Sequence, residues 1–425
     1  MANISGSITP GFEPVREAFE ANFTEALELG ASYVAYYKGR KVVDLTGGWA
    51  DTKKTRPYDS NTIHVVHSSG KAIEAIVAAH AVSKGVLSYE QRIADIWPEF
   101  GQGGKADVLV KDLLEHSGGV GWLDREHCPL IDEMLDLDKL AARLAGQKHN
   151  FGGVLTKSYH AQTRGWYLNE VYRRTLGTTH GELVRGWSNQ LGVDVFVGLP
   201  ESADHRFCKV VYDPAALMAM ASAPRPPPNH PTVLTMGKTG IKGVKPGKAD
   251  GGLLSNNMQV LRAQTSSAFT VTNAAGLAAF ANVMAMGGSA RGLQIVDAST
   301  HAAAHVIDPR NIDANDAVLG FPWPSTIGGW GVSTPGTIIP NVRLDPSTNP
   351  KARYVPEEYK GSGWEWVGWD GMGGSQIQWD PKRKCAIGYA PNLLKEGGGS
   401  NDDRAARCTL AFVKCVEALE SSSRL

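Results

Sequence analysis

The sequence has few cysteines, no long apolar run and no excess of charge of either sign. Its five cysteines are widely spaced and form no Cys-x-x-Cys pair, which argues against a zinc site and predicts reduced thiols. The 43 basic and 43 acidic residues balance to a formal net charge of +0, so charge indicates neither nucleic acid nor an anionic membrane as a partner. No apolar segment is long enough to span a bilayer.

The two ends of the chain give little indication of targeting. Residues 1–6 lack a basic segment and an apolar core, so we expect no signal peptide. The last three residues, Ser423-Arg424-Leu425, are a close variant of the Ser-Lys-Leu peroxisomal address, and a frayed terminus is the alternative. Together with the reduced thiols, these features predict an intracellular protein, either cytoplasmic or peroxisomal.

Hydrophobic periodicity predicts an α+β protein in which both chain ends contribute to one sheet. An amphipathic helix over 14–29 precedes a hairpin of two strands within 32–45. A second hairpin within 375–390 precedes a terminal helix that ends at Glu420. Between these ends, the span 73–220 is mainly helical in pattern, and it includes an amphipathic helix predicted over 130–144.

This pattern divides the chain into two expected domains. With 425 residues the chain is long enough for two folding units. We expect residues 1–75 and 250–425 to form a domain with an antiparallel sheet flanked by the N- and C-terminal helices. We expect residues 76–249 to form a mainly helical inserted domain. Its proline-, glycine- and lysine-rich part forms an extended surface connection, because proline is excluded from helix and sheet interiors.

One short stretch carries the first candidate for catalysis. A predicted buried strand over 62–66 precedes it, and a predicted helix over 71–84 follows. Ser68 and Lys71 therefore lie one turn apart on one face of a helix N-terminus. A serine hydroxyl needs a neighbour to accept its proton, and a lysine that desolvation keeps neutral can do so. The pair also arises by chance as a helix cap and a solvated lysine, so its interpretation depends on the rest of the chain.

Three further segments follow in order. They are Gly85 to Phe100 with Val110 to Gly119, then Tyr159-His160-Ala161, then Gly368-Trp369-Asp370-Gly371-Met372-Gly373-Gly374-Ser375. Taken with Ser68 and Lys71, these segments resemble the serine β-lactamase and penicillin-binding-protein superfamily. More closely they resemble its class C-like esterases, the family VIII carboxylesterases, and the related fungal transesterases. The resemblance covers nearly the whole chain and implies a β-lactamase-like fold with no metal or organic cofactor.

The resemblance also implies roles for individual residues. Ser68 would be the nucleophile, with Lys71 and Tyr159 as its proton-transfer partners, and a Tyr159 phenolate stabilised by the ammonium would take the serine proton. The backbone N–H groups of Ser68 and Met372 would form the oxyanion hole. The residues expected to contact substrate are Trp369, Gly371, Trp122 and His160.

This chain departs from the β-lactamase pattern at two positions. Ala161 replaces an asparagine that orients substrate, and Trp369 replaces a cationic lysine, so the resemblance implies a neutral or apolar substrate. Lys238-Thr239-Gly240 has the same sequence as the Lys-Thr-Gly motif of the lactamases. A glycine- and lysine-rich stretch follows it where a strand should continue, so we exclude it as that motif.

We therefore expect a serine hydrolase that acts on a small-molecule ester or related acyl substrate through a Ser68 acyl-enzyme. An acyltransferase, or transesterase, of secondary metabolism would use the same intermediate. A third alternative is a repurposed scaffold that does non-hydrolytic chemistry, as an isomerase or cyclase, or only binds.

Overall fold

The computed structural model describes residues 3–245, 247–333, 335–340, 357–395 and 402–422. The tripeptide that resembles a peroxisomal address, residues 423–425, lies outside these ranges. Within them, every helix is either too short or too polar to cross a membrane.

Strands from both chain ends form one antiparallel sheet. The strands are β1 (Ser5–Ile8), β2 (Gly30–Tyr37), β3 (Arg40–Gly48), β4 (His64–Val65), β5 (Val211–Tyr212), β6 (Val271–Thr272), β7 (Ser289–Ala290), β8 (Leu293–Gln294), β9 (Gly331–Val332), β10 (Val367–Asp370), β11 (Gln376–Asp380), β12 (Cys385–Pro391) and β13 (Leu393–Leu394). The main sheet has the order β1-β3-β2-β12-β11-β10-β9 in the described residues. β2 pairs with β12, with Tyr33 opposite Tyr389. The predicted sheet built from both ends is confirmed.

Helices cover both faces of this sheet. The helices are α1 (Glu13–Thr24), α2 (Gly70–Ser83), α3 (Ile93–Ile96), α4 (Val110–Leu114), α5 (Leu137–Gly146), α6 (Thr163–Leu176), α7 (His180–Leu191), α8 (Pro214–Ser222), α9 (Pro231–Val233), α10 (Met258–Arg262), α11 (Ser266–Phe269), α12 (Ala274–Ala285), α13 (Ala298–Ala304) and α14 (Asp403–Ser422). Along β2, Tyr33 and Ala35 pack with α1 and α14, whereas Val34 and Tyr36 face the core that contains α12. This alternation follows from the two-residue period of a strand.

Helix α2 passes through the interior of the protein. All its residues from Gly70 to Ala81 are buried, and it packs against α6, α7, α11 and α13. Its sequence is apolar on every side except for a few polar positions, which is typical of a fully buried helix. Because Ser68 immediately precedes α2, this helix fixes the position of the candidate nucleophile.

Three elements differ in extent from their predictions. The first helix ends at Thr24, before a left-handed Ala26 (φ 56°), and not at residue 29. The predicted helix over 130–144 is interrupted, and α5 begins after Asp136, whose carboxylate caps it by accepting the Lys139 N–H. The predicted strand over 62–66 is shortened to β4, which pairs with β6 outside the main sheet. The boundaries of the two domains stay a prediction.

Candidate active site

Ser68 lies in a short 3-10 turn between β4 and α2. His67, which begins this turn, has a left-handed φ of 45°. Ser68 is half-buried, whereas its neighbours from 62 to 81 are all buried, so its side chain is the exposed point of this stretch. Gly70 lets α2 begin close to α11, because a Cβ there would lie 2.5 Å from the Ser266 carbonyl oxygen.

The Lys71 amine is fully buried and faces three oxygen atoms. Its Nζ lies 3.2 Å from Ser68 Oγ, 2.7 Å from the Ala161 carbonyl oxygen and 2.7 Å from the Ser267 carbonyl oxygen. Burial lowers the Lys71 pKa well below its ordinary value, and the nearby Glu74 carboxylate opposes this shift only in part. A neutral amine has two N–H groups for the two carbonyls, which leaves its lone pair facing the Ser68 hydroxyl.

Tyr159 contacts the same serine from another side. Its hydroxyl lies 2.6 Å from Ser68 Oγ, and its backbone N–H donates to Asp316 Oδ1 over 3.0 Å. Burial raises the Tyr159 pKa to about 12, although hydrogen bonds with Ser68 and Trp369 lower it in part. The phenol is therefore protonated at neutral pH and can donate a proton.

The sequence left two resting states open for these groups. One has a Lys71 amine kept neutral by desolvation, and the other, implied by the resemblance, pairs a Tyr159 phenolate with a Lys71 ammonium. Burial disfavours both charges and so favours a neutral Lys71 amine beside a neutral Tyr159 phenol. In that state the amine has a lone pair available for a proton.

A buried ion pair beside Lys71 was missed by sequence reasoning. Arg164 Nε lies 2.9 Å from Glu74 Oε2, and both side chains are 0% exposed. Arg164 also donates to the Lys71 carbonyl oxygen over 2.6 Å, while the Ser267 hydroxyl donates to Glu74 Oε1 over 2.6 Å. The available signal was Glu74 itself, an acidic residue within the apolar run of α2 and three positions after Lys71.

The turn after β10 packs against the strand end that precedes Ser68. A Cβ on Gly371 would lie 2.3 Å from the Val66 carbonyl oxygen, and the Ser375 hydroxyl donates to that oxygen over 2.7 Å. Among the described residues, neither the Ser68 N–H nor the Met372 N–H donates a hydrogen bond. Two free backbone donors near the nucleophile are the arrangement that an oxyanion hole requires.

The four residues expected to contact substrate have different environments. Trp369 is buried and its ring stacks on Tyr159 with centroids 6.4 Å apart, and Gly371 lies in the turn described above. Trp122 packs edge-on against Phe151, and its backbone N–H donates to Asn150 Oδ1 over 3.2 Å. His160 differs from expectation. It is 0% exposed, and its ring nitrogens are bonded to the backbone of Ser158 and Val120.

Lys238-Thr239-Gly240 lies away from the strand that precedes Met372. The Thr239 hydroxyl accepts from the Leu123 N–H over 2.9 Å, and the Lys238 carbonyl accepts from the Cys128 thiol. This placement is consistent with excluding it as the lactamase motif. The catalytic and binding roles of the other named residues stay predictions.

The fold is that of the β-lactamase-fold serine hydrolases. The chain belongs to the beta-lactamase family, since the family model described as Beta-lactamase matches residues 19–411. The family and the α+β fold class expected from the resemblance are both confirmed.

Esterases are among the proteins that this chain resembles. A family VIII carboxylesterase has a TM-score of 0.79 and 27% identity, covering 97% of this chain and 100% of its own. EstA from Arthrobacter nitroguajacolicus Rue61a has a TM-score of 0.77 and 25% identity, covering 98% and 99%. "Esterase/beta-lactamase LipL" of Mycobacterium tuberculosis is 32% identical over 176 residues, 41% of this chain. That match spans 40% of the LipL length.

Proposed function

We propose that the protein hydrolyses a small, neutral or apolar carboxylic ester through an acyl-enzyme on Ser68. The observation that carries this proposal is the convergence of Lys71 Nζ and Tyr159 OH on Ser68 Oγ, at 3.2 and 2.6 Å. A nucleophile held between a neutral base and a neutral acid is what a two-step acyl transfer requires.

The first step forms the acyl-enzyme. Lys71 accepts the Ser68 proton while Oγ attacks the acyl carbon, and the oxyanion binds the N–H groups of Ser68 and Met372. The carbon–oxygen bond to the leaving alcohol then breaks, and Tyr159 donates its proton to the alkoxide. The proton on Lys71 returns to the phenolate. In the second step water attacks the acyl carbon and gives a proton to Lys71. The bond between this carbon and Ser68 Oγ then breaks, Ser68 Oγ takes up that proton, and the carboxylic acid leaves.

Two replacements favour an ester over a β-lactam as substrate. Ala161 offers no side-chain amide, and its carbonyl oxygen is already bonded to Lys71 at 2.7 Å. Trp369 places an indole where the lactamases have a lysine, so no cation at this position pairs with a substrate carboxylate. The likeness to proteins named as esterases supports the same choice.

The test is covalent labelling. Wild-type protein incubated with a fluorophosphonate should gain the mass of one probe, and it should hydrolyse p-nitrophenyl acetate. Ser68→Ala should lose both activities. The matched control is Ser69→Ala, which removes a buried neighbouring hydroxyl and should still be labelled. Labelling of folded Ser68→Ala would contradict the assignment.

Labelling does not distinguish hydrolysis from transfer, since an alcohol can replace water in the second step. Product analysis with a competing primary alcohol measures this partition, and a dominant new ester would favour the transesterase alternative. A folded wild-type protein that no serine-directed probe labels would favour the repurposed scaffold.

A further inference from the structure

Helix α8 is exposed and carries no charged side chain. Its sequence is Pro-Ala-Ala-Leu-Met-Ala-Met-Ala-Ser, in which Ala216 is the buried residue. The exposed fractions are 49% for Leu217, 73% for Met218 and 56% for Met220. A helix that is apolar on every side is normally buried in a protein core or in lipid, and contiguous exposed apolar surface marks an interaction site.

This helix begins at the rim of the candidate active site. Tyr212, two residues before α8, donates its hydroxyl hydrogen to Met372 Sδ over 3.4 Å. Met372, the proposed oxyanion residue, is 38% exposed. The chain that leads into α8 therefore contacts the proposed oxyanion turn.

The chain that follows α8 returns to the site near Tyr159. Thr232 Oγ1 donates to the Val318 carbonyl oxygen over 2.6 Å, and the Val318 N–H donates to Asp316 Oδ1 over 2.8 Å. The same Asp316 oxygen accepts the Tyr159 N–H. The chain is thus held beside Met372 just before α8, and at Thr232 it is held to the residues that bond Tyr159.

Charge on this part of the chain has one sign. Residues 214–245 contain basic side chains and no acidic one. The basic residues are Arg225, Lys238, Lys242 and Lys245. The whole-chain net charge of +0 hides this local excess. Exposed apolar side chains on a segment with basic and no acidic side chains fit an anionic lipid interface, where apolar burial and electrostatic attraction act together.

We propose that residues 214–245 dock the protein on an anionic lipid–water interface, where amphiphilic esters enter the Ser68 site. A broad surface fits α8 better than a single substrate chain, because three large side chains are exposed together and one acyl chain would cover only part of them. The substrate class rests on the proposed function, whereas the docking itself does not require Ser68.

The experiment measures binding to large unilamellar vesicles by cosedimentation. Wild-type protein should bind phosphatidylglycerol vesicles, bind neutral phosphatidylcholine vesicles much less, and dissociate as salt is raised. Replacing Leu217, Met218 and Met220 by serine should weaken binding by about tenfold or more, because this apolar area then stays in contact with water. Replacing the exposed cations Arg225, Lys238 and Lys245 by glutamine should weaken it by roughly tenfold to a hundredfold.

Matched variants outside the segment should bind as wild type does. The apolar control replaces Val86, Val306 and Ile312, which are 42%, 51% and 49% exposed, by serine. The charge control replaces the exposed lysines Lys53, Lys54 and Lys84 by glutamine. Equal weakening by the control and segment variants would overturn the proposal. So would absence of vesicle binding, or a dimer in solution that the α8 variant abolishes, since a second copy would then cover the helix.

Two further measurements separate this proposal from the proposed function. The Ser68→Ala protein should bind anionic vesicles as well as wild type does. The α8 serine variant should hydrolyse water-soluble p-nitrophenyl acetate at the wild-type rate and lose rate only on an ester embedded in vesicles. Vesicle binding without any ester hydrolysis would contradict the proposed function and leave the docking surface supported.

Discussion

Gly371→Ala tests the proposed oxyanion hole without touching a reacting side chain. The added Cβ would lie 2.3 Å from the Val66 carbonyl oxygen and 2.2 Å from Ser375 Oγ. Contacts under 3.0 Å force a movement, so the turn must shift by at least about 0.7 Å, the difference between 3.0 and 2.3 Å. Gly371 has no left-handed φ, so the alanine backbone itself is not strained.

The expected effect is mainly on catalysis. The shift carries the Met372 N–H away from the oxyanion, and loss of one such donor costs about 2.7–4 kcal/mol, or roughly a hundred- to a thousandfold in kcat. Overpacking at the same position costs about 1–3 kcal/mol of folding stability. A protein that remains folded at 25 °C should therefore lose most of its turnover.

The assay combines kcat for p-nitrophenyl acetate with a thermal melt followed by circular dichroism. The matched control is Gly186→Ala in α7, where an added Cβ meets nothing within 4 Å. That control should keep its kcat and gain about 1 kcal/mol of stability from helix propensity. If folded Gly371→Ala kept the wild-type kcat, the turn would not supply an oxyanion donor, and the reasoning would fail.

Three other predictions concern the groups around Ser68. Tyr159→Phe should lower kcat by about a hundred- to ten-thousandfold on alkyl esters and less on p-nitrophenyl esters, whose leaving group needs no acid; equal losses on both would contradict the acid role. The pH profile of kcat/KM should fall as pH drops below the lowered Lys71 pKa, because the ammonium cannot accept a proton. It should stay level well above neutrality, since the Tyr159 pKa is about 12; a profile that rises only near pH 10 would show that Lys71 rests protonated. Glu74→Gln leaves Arg164 buried without its partner and should cost about 3–5 kcal/mol in urea unfolding, and an unchanged midpoint would refute the importance of this pair.

Local sequence signals account for the parts of the site that were predicted. The spacing of Ser68 and Lys71 was interpretable because an apolar helix follows them, and helical periodicity places residues three apart on one face. The terminal hairpin was evident from two short strands separated by a charged turn. In both cases, residues close together in the sequence determine the local structure that was predicted.

Long-range backbone contacts leave no such signal. The oxygens that hold Lys71 belong to the main chain of Ala161 and Ser267, and any residue type supplies a carbonyl at those positions. The bonding of His160 was equally hidden, because its ring nitrogens bond the backbone carbonyl of Ser158 and the backbone N–H of Val120. The protonation of the Lys71–Tyr159 pair depends on burial, which only the assembled core determines.

The proposed oxyanion turn is held by residues from both ends of the chain. Arg404 at the start of α14 donates to the Gly373 carbonyl oxygen over 2.7 Å. The same guanidinium lies 3.0 Å from Glu28 and 2.7 Å from Asp402, with all three side chains buried. Transition-state stabilisation by N–H groups depends on donors that are already in position before the reaction. We therefore expect this buried ion-pair cluster to affect catalysis through the position of the Met372 N–H.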